Sequence, residues 1–301
     1  MQVSGNNLFA GEHMEFSSIL GNSQKLDGGA MFGNAPKELW SRWTRPDELN
    51  RIDLACRALL VEVGGRKLLF EAGIGAYMEP KYRDRYGVQD SEHVLLNSLV
   101  KLGISHEDIT DIILSHLHFD HSGGLLSVWR EGKETELLFP NARYYAGKDA
   151  WSRAVNPHYR DRTSFVPALN ERLETSGRLV KLDGSEVLSF GGLTVRFIKS
   201  DGHTPGMMCS DLRWDNGRLL VAADLIPGRF WVHLPITMGY DRYPEQLINE
   251  KKTLLASIVK DNAWVFYTHD SEFALSKVSF DEKKNKFVAV ETIADLERTV
   301  L

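Results

Sequence analysis

The sequence predicts an α+β protein in which mixed β-sheets are covered by helices. Stretches with the pattern of strands alternate along the chain with stretches that have the pattern of helices. Several pairs of apolar stretches flank short turn sequences, which is typical of antiparallel hairpins. Of the 301 residues, 43% are hydrophobic, enough to bury a large core. Alternation together with hairpins favours mixed sheets over a purely parallel sheet.

The N-terminal half contains the first clear elements. The predictions are, in order, a hairpin of residues 57–63 and 66–70, a helix over 91–102 and a short buried strand over 111–114. Gly64 and Gly65 separate the two hairpin strands and can adopt the positive φ of a tight turn. Apolar residues at helical spacing define the helix, and Gly103 can end it.

The C-terminal half continues the alternation. The predictions are strands over 143–146 and 193–198, a hairpin of 207–214 and 219–223, a helix over 244–260, a strand over 264–267, a late hairpin of 277–280 and 286–290, and a closing helix over 293–300. Asp215-Asn216-Gly217 supplies the turn of the first of these hairpins. Pro244 suits the first turn of its helix.

The even spread of Gly and Pro, without an internal repeat or a long linker, favours one continuous domain over residues 1–301, with an N-terminal extension of about residues 1–50. The formal net charge is -5, and without a basic excess no nucleic-acid partner is expected. No run of about 18 apolar residues exists, so no membrane span is predicted. Residues 1–12 lack the pattern of a secretory signal. A cytoplasmic protein with reduced, buried Cys56 and Cys209 is therefore expected.

The chemistry centres on a histidine-rich motif directly after the strand predicted at 111–114. His116, His118, Asp120 and His121 lie within six residues. Imidazole nitrogen and carboxylate oxygen are ligands that zinc prefers. Residues two apart in an extended chain point the same way, so His116 and His118 can bind one ion. A turn would direct Asp120 and His121 at a second ion, and the glycines at 123 and 124 allow close backbone approach.

Three further candidate ligands follow predicted strands. His203 lies in a turn-rich segment, Asp224 follows an apolar run, and His269 follows the strand at 264–267. Each is a weak signal alone, since an aspartate after a strand is usually a turn or cap residue. Together they complete a site for two ions: His116, His118 and His203 on one, Asp120, His121 and His269 on the other, and Asp224 as the bridge.

This ligand order resembles the metallo-β-lactamase superfamily. The resemblance extends from the hairpin at Arg57 to His269. It implies an αββα sandwich, in which two mixed sheets pack face to face between outer helices and the metals sit at one edge. It also implies two divalent metal ions, with Zn2+ as the leading candidate and Mn2+, Fe2+ or Co2+ as alternatives.

A narrower resemblance rests on residues 27–32, 224–227 and 238–241. These segments are similar to N-acyl-homoserine lactone lactonases and methyl-parathion-hydrolase-like enzymes. The implied reaction is attack by a metal-bridging hydroxide on an ester-type bond, with Asp120 moving the proton. The leading substrate is a lactone such as an N-acyl-homoserine lactone, and the biological role would be quorum quenching. Small-molecule substrates, no nucleic acid, no membrane and a homodimer are the expected partners.

The chain departs from the family pattern near the site. Glu71 stands where many members have aspartate, and a longer carboxylate can still support the site. Met207 replaces a second histidine that is not a ligand in the family. Pro227 stands where some lactonases carry a substrate-binding tyrosine, so Tyr240, Tyr243 or His233 is a candidate replacement.

The predicted substrate contacts are Phe230, Trp231, His233 and Tyr240. Trp40 and Trp43 are expected to pack, and residues 159–162 to form part of a lid or an exposed helix.

Other functions share the ligand set. A phosphotriesterase or aryl esterase would use the same chemistry. A glyoxalase II-like thioesterase lacks an obvious basic cluster for glutathione. A non-catalytic ligand-binding member of the fold is disfavoured because all seven ligands are present. Diiron redox relatives usually carry glutamate where this chain keeps His118, and a nuclease is disfavoured by the negative charge.

Overall fold

Two β-sheets pack face to face with helices on their outer sides. The structure is a computed structural model that describes residues 14–301. The prediction that residues 1–12 lack a secretory signal lies outside the described residues. Among the helices within 14–301, none is long and apolar enough to cross a membrane.

The first sheet contains six strands, each hydrogen-bonded to the next in chain order. They are β1 (Glu15–Asp27), β2 (Arg51–Val63), β3 (Arg66–Phe70), β4 (Asp111–Ile113), β5 (Arg143–Gly147) and β6 (Leu179–Leu182). The pairs β1/β2 and β2/β3 are antiparallel, and the remaining pairs are parallel. The predicted hairpin at Gly64-Gly65 is confirmed as the β2/β3 connection. Strand β1 belongs to the stretch that the sequence assigns to an N-terminal extension.

The second sheet contains seven strands in the spatial order β13-β12-β11-β10-β9-β8-β7. They are β7 (Val187–Phe190), β8 (Leu193–Ser200), β9 (Met207–Trp214), β10 (Gly217–Val221), β11 (Trp264–Phe266), β12 (Leu275–Asp281) and β13 (Lys286–Ile293). Only β10 and β11 pair in parallel within this sheet of the described chain. Both hairpins predicted for this half are confirmed, and so is the mixed character of the sheets.

Eight α-helices occur in the described residues. They are α1 (Gly28–Phe32), α2 (Lys37–Trp40), α3 (Pro80–Arg85), α4 (Val94–Lys101), α5 (Phe119–Ser122), α6 (Lys148–Val155), α7 (Pro167–Thr175) and α8 (Pro244–Lys260). The helix predicted over 91–102 is confirmed as α4, and Gly103 follows it with a φ of 71°. Pro244 opens α8 at its first turn, as predicted.

Strand alternation divides the core into layers. In β2, Leu59 and Val61 face the second sheet and pack in one cluster with Val195 of β8. Their neighbours Ala58 and Leu60 point to the other side, into a cluster that includes residues of α4, α6 and α7. Successive side chains of a strand point to opposite faces, so both faces of this sheet are buried. A third cluster joins the second sheet to α8. The predicted αββα sandwich is confirmed.

The predicted closing helix over 293–300 is wrong. Strand β13 continues to Ile293, and the chain then runs along the edge strand β1. Phe16 and Thr299 exchange two backbone hydrogen bonds of 2.9 Å, and Ser18 N donates to Leu296 O at 2.9 Å. Leu296 is buried in the core between the sheets. Pairing with the open edge of β1 satisfies backbone groups that a helix would have paired locally.

Candidate metal centre

The seven predicted ligands converge at one end of the sandwich. Each follows the C-terminal end of a strand: His116, His118, Asp120 and His121 follow β4, His203 follows β8, Asp224 follows β10 and His269 follows β11. Because β10 and β11 are parallel, Asp224 and His269 leave the second sheet at the same edge. All five histidines and Asp224 are buried. The structure therefore brings together residues separated by up to 153 positions.

A tight backbone contact holds the motif against the loop after β3. Ala72 N donates to His121 O at 2.7 Å, and Gly124 N donates to Gly73 O at 2.9 Å. A Cβ atom placed on Gly124 would lie 2.0 Å from Ala72 O, so no larger residue fits there without movement. This is the close approach that the glycines after the motif predict.

Asp224 has the geometry of a bridge between two ion sites. Its Oδ1 lies 3.1 Å from His121 Nε2 and 3.2 Å from His269 Nε2. Its Oδ2 lies 3.2 Å from His203 Nε2. Ligand atoms of three sets lie within 4.8 Å of one another: His116, His118 and His203; His116, His121 and Asp224; and Asp120, His121 and His269. The first and third sets consist of the residues predicted for the two ions, and the second combines one histidine from each with the predicted bridge, Asp224.

The donor atoms fit divalent cations better than they fit one another. His121 Nε2 lies 3.1 Å from His269 Nε2, and His118 Nδ1 lies 3.3 Å from His203 Nε2. A pair of ring nitrogens at such a distance needs either one shared proton or, when both nitrogens are unprotonated, a cation between them. His116 Nε2 is buried without a hydrogen-bond partner within residues 14–301. A buried nitrogen of this kind requires a partner that the chain does not supply.

The opposite ring nitrogens of four histidines have fixed partners. His116 Nδ1 lies 2.9 Å from Ser115 Oγ, His121 Nδ1 lies 3.1 Å from Glu71 Oε2, His203 Nδ1 lies 2.9 Å from Asp241 Oδ1, and His269 Nδ1 lies 2.8 Å from Ala55 O. The contacts with Glu71, Asp241 and Ala55 hold the proton on Nδ1 of three of these rings and leave Nε2 for a metal, whereas the serine hydroxyl can either donate to His116 Nδ1 or accept from it. Glu71 thus supports the site despite replacing the aspartate found in many relatives.

Electrostatics keep the carboxylate of Asp224 charged and act in opposite directions on the histidines around it. Burial, helped by the neighbouring imidazoles, lowers the pKa of His116 and of His118 well below the usual value. Burial acts in the same direction on His121 and His269, but the charge of Asp224 and the hydrogen bonds of each ring to its neighbours together outweigh it and raise the pKa of both rings. Burial would raise the pKa of Asp224, but the imidazoles around it lower it well below its usual range. The cluster therefore keeps an anionic carboxylate among its histidines.

A cavity of about 400 Å3 opens onto the ligands. Its apolar wall is formed by Leu26, Met31, Leu54, Phe119 and Met238. Of the four predicted substrate contacts, Tyr240 lines this cavity, whereas Phe230, Trp231 and His233 do not. Tyr243, the further candidate for the missing tyrosine, does not line it either.

The aromatic residues after Asp224 form a packing cluster instead. Trp231 stacks on Phe32 with ring centroids 4.6 Å apart, and Trp40 stacks on the same ring at 5.5 Å. Phe230 stacks on Trp43 at 5.7 Å. The expected packing role of Trp40 and Trp43 is confirmed. Phe230 and Trp231 join them because Phe32 of α1 contacts all four of these rings.

Several cavity residues were not predicted from the sequence. Gln24 of β1 donates through Nε2 to Asp120 Oδ2 at 3.0 Å. Arg160 and Asp161 line the cavity from a loop that ends in a short 3-10 helix, Arg162–Ser164. The alternative of an exposed α-helix over 159–162 is therefore wrong. Gln24 lies on β1, a strand within the stretch that the sequence assigns to an N-terminal extension.

Comparison with known proteins agrees with the fold. A model of the metallo-beta-lactamase superfamily matches residues 51–269. The N-acyl homoserine lactonase AiiA of Bacillus thuringiensis subsp. kurstaki is 24% identical over 184 residues, which are 60% of this chain and 64% of that protein. The chain therefore spans slightly less than two thirds of the length of that relative. An N-acyl homoserine lactonase of Bacillus sp is 24% identical over 242 residues, 75% of this chain and 85% of that protein.

Solved structures share the architecture. A probable metal-dependent hydrolase from Staphylococcus aureus has a TM-score of 0.81 at 24% identity, covering 96% of this chain and 99% of that chain. AidC, a dizinc quorum-quenching lactonase in complex with a product, has a TM-score of 0.70 at 23% identity, covering 92% and 94%. At 24% and 23% sequence identity, this structural similarity shows only that the fold is shared.

Proposed function

The chain belongs to the metallo-β-lactamase superfamily, and on that premise we propose that it is a dinuclear metal-dependent hydrolase of lactones, with N-acyl-homoserine lactones as the leading substrates. The observation that carries the proposal is the ligand cluster bridged by Asp224, which opens into a cavity with one apolar wall. Relatives and structural neighbours named as lactonases support the choice of substrate. Quorum quenching would be the biological consequence.

Two bound divalent ions would supply an activated water and positive charge opposite the carbonyl oxygen. His116, His118 and His203 would hold one ion, His121, His269 and Asp120 the other, and Asp224 both. Zinc is the leading ion, because the donors are mainly imidazole nitrogens. Asp120 would accept a proton as the ester carbon is attacked and return it to the leaving alkoxide. Gln24 fixes the orientation of Asp120 by donating to Oδ2.

Tyr240 is our candidate for the tyrosine absent at Pro227. Its side chain lines the cavity, and the residue is 43% exposed. Burial raises the pKa of Tyr240 to about 12, and the carboxylates of Asp120 and Asp27 act in the same direction. The hydroxyl therefore stays protonated at neutral pH and can donate to the substrate carbonyl.

The apolar wall suits an acyl chain. Leu26, Met31 and Leu54 lie on the side of the first sheet, and Met238 lies on the loop before α8. Burying a chain against such side chains contributes roughly 0.8 kcal/mol for each CH2 group. Longer acyl chains should therefore be hydrolysed with lower KM until the cavity is filled.

The test combines metal counting with a substrate panel. Purified protein is assayed against long- and short-chain acyl-homoserine lactones, a plain γ-lactone, a phosphotriester and an aryl ester. We expect about two metal ions per chain and the highest kcat/KM with a lactone. Faster turnover of the phosphotriester or aryl ester would support a metal-dependent hydrolase but overturn the assignment of lactones as its substrates. Absence of bound metal after loading would overturn the proposal.

Two variants separate the metal centre from the substrate contact. His118→Ala should lose metal and activity together. Tyr240→Phe should keep both metals and lose about tenfold in kcat/KM, since one hydrogen bond to the substrate is removed. Unchanged kinetics of Tyr240→Phe would exclude the tyrosine from substrate binding.

A further inference from the structure

Asp161 lies in the cavity wall on the side of His118. It precedes the short 3-10 helix Arg162–Ser164 and lines the cavity together with Arg160. The adjoining Phe165 forms a backbone bridge with His118, and the two rings have centroids 4.9 Å apart. The segment is therefore anchored directly beside one of the proposed metal ligands.

One oxygen of Asp161 is held and the other has no partner. Oδ2 accepts from Arg153 Nε at 3.0 Å and from Arg153 Nη2 at 2.8 Å. Oδ1 is buried and has no hydrogen-bond donor within residues 14–301. The whole side chain is only 9% exposed. Buried carboxylate oxygens nearly always have a donor, and leaving one unpaired costs roughly 1–3 kcal/mol.

The local backbone offers a donor that Asp161 does not use. Asp161 occupies the residue before the 3-10 helix, where an aspartate usually accepts from the first free N–H groups. Its side chain makes no such bond here. Arg153 instead holds the carboxylate against α6, and Arg160 Nη2 donates to Gly239 O at 2.7 Å across the cavity mouth. Both ends of the segment are thus fixed, and Oδ1 stays buried and unpaired in a residue that lines the cavity.

We propose that Asp161 is a specificity-determining residue that accepts a hydrogen bond from an N–H or O–H group of the substrate next to the hydrolysed ester. The inference rests on the proposed lactone hydrolysis. An amide N–H on the carbon beside the lactone carbonyl is a donor of this kind. A substrate without a donor leaves Oδ1 unpaired, and an anionic substituent would be repelled by it. Sites built around a polar group reject analogues that cannot pair with it.

The test compares two lactones that differ in one group. One is N-hexanoyl-L-homoserine lactone, and the other carries a CH2 group in place of its amide N–H. The variant is Asp161→Asn: because Arg153 only donates, the amide oxygen must face it, and the amide nitrogen, itself a donor, takes the place of Oδ1. The matched control is Asp149→Asn, an exposed aspartate of α6 that pairs with Lys199 at 3.5 Å.

Wild type and Asp149→Asn should prefer the amide lactone by about tenfold or more in kcat/KM. In Asp161→Asn this ratio should fall to about one, mainly through the amide lactone, with metal content unchanged. If Asp161→Asn has the same ratio of kcat/KM values for the two lactones as the wild type, the proposal is overturned. If that variant does not fold, the wild-type protein still provides a test, because equal kcat/KM values for the two lactones also overturn the proposal.

A binding readout separates this inference from the proposed function. The melting temperature of the metal-loaded protein is measured with each lactone. If neither lactone is hydrolysed, the proposed lactonase function fails. A larger melting-temperature shift with the amide lactone, lost in Asp161→Asn, would still support the role of Asp161, and equal shifts would overturn it.

Discussion

Glu71 Oε2 lies 3.1 Å from His121 Nδ1, and this pair joins the end of β3 to the metal centre. The second carboxylate oxygen of Glu71 accepts from Ser115 N at 2.8 Å, next to His116. Glu71 has a φ of 67°, a left-handed conformation that costs a non-glycine residue roughly 1–2 kcal/mol. The contacts of Glu71 with His121 and Ser115 hold the backbone in this conformation, and we infer that the position of the carboxylate is needed to orient the metal ligands.

Replacing Glu71 with Gln should weaken metal binding by about 10–100-fold. The two partners of Glu71 both donate, and a carboxamide has only one oxygen to accept from them. Competition with a chromophoric zinc chelator measures the affinity. Glu174→Gln, which changes an exposed glutamate paired with Lys181, is the control. Equal zinc affinities of the two variants would show that Glu71 does not support His121.

Replacing Gln24 with Met should lower kcat about tenfold and leave KM and metal content nearly unchanged. The variant keeps the length of the side chain but removes the donor to Asp120 Oδ2, so the proposed proton acceptor loses its fixed orientation. Steady-state kinetics on the best lactone, with metal analysis of the same samples, measure the effect. Gln246→Met on the exposed face of α8 is the control. An unchanged kcat would mean that the metal alone orients Asp120.

Replacing Gly124 with Ala should destabilise the protein by more than about 3 kcal/mol and reduce metal content. The added Cβ would lie 2.0 Å from Ala72 O, where backbone meets backbone and no side chain can move aside. Gly132→Ala is the matched control: its Cβ meets open space, and only the positive φ of 69° opposes it, at roughly 1–2 kcal/mol. Denaturant unfolding of both variants gives the comparison. Similar losses would show that the loop after β3 adapts to the clash.

Lys251 should make stability depend on pH above neutrality. It is fully buried in α8, and Nζ donates to Trp231 O at 2.9 Å and to Ile236 O at 2.6 Å. Burial lowers the pKa of Lys251 from 10.5 to about 7. The unfolded chain therefore binds more protons between these values, and the free energy of unfolding should rise with pH, by at most about 1.4 kcal/mol per pH unit.

Lys251→Met tests this dependence. At pH 7 the variant should lose about 1–3 kcal/mol, because the carbonyls of the loop after Asp224 lose their donor. Its disadvantage relative to wild type should then grow between pH 7 and pH 9. Unfolding curves in denaturant at pH 7, 8 and 9 measure both effects. A constant difference across this range would contradict the lowered pKa.

Local patterns in the sequence were sufficient for most strands, hairpins and helices. The β2/β3 turn at Gly64-Gly65 depends on a few adjacent residues, and so does the start of α8 at Pro244. The ligand set could also be named, because seven metal-binding side chains follow predicted strands, although each of the last three is a weak signal alone. The structure then brought all seven into one cluster.

The sequence by itself thus determined the layered fold and the residues offered to metals, whereas the tertiary structure alone decided what surrounds them. The closing segment pairs with β1 instead of forming a helix, since distant backbone groups compete for its hydrogen bonds. Trp231 packs on Phe32 instead of lining the cavity, while Gln24 and Asp161 do line it. The periodicity of apolar residues predicts which side chains are buried, but the side chains they pack against belong to residues far away in the sequence.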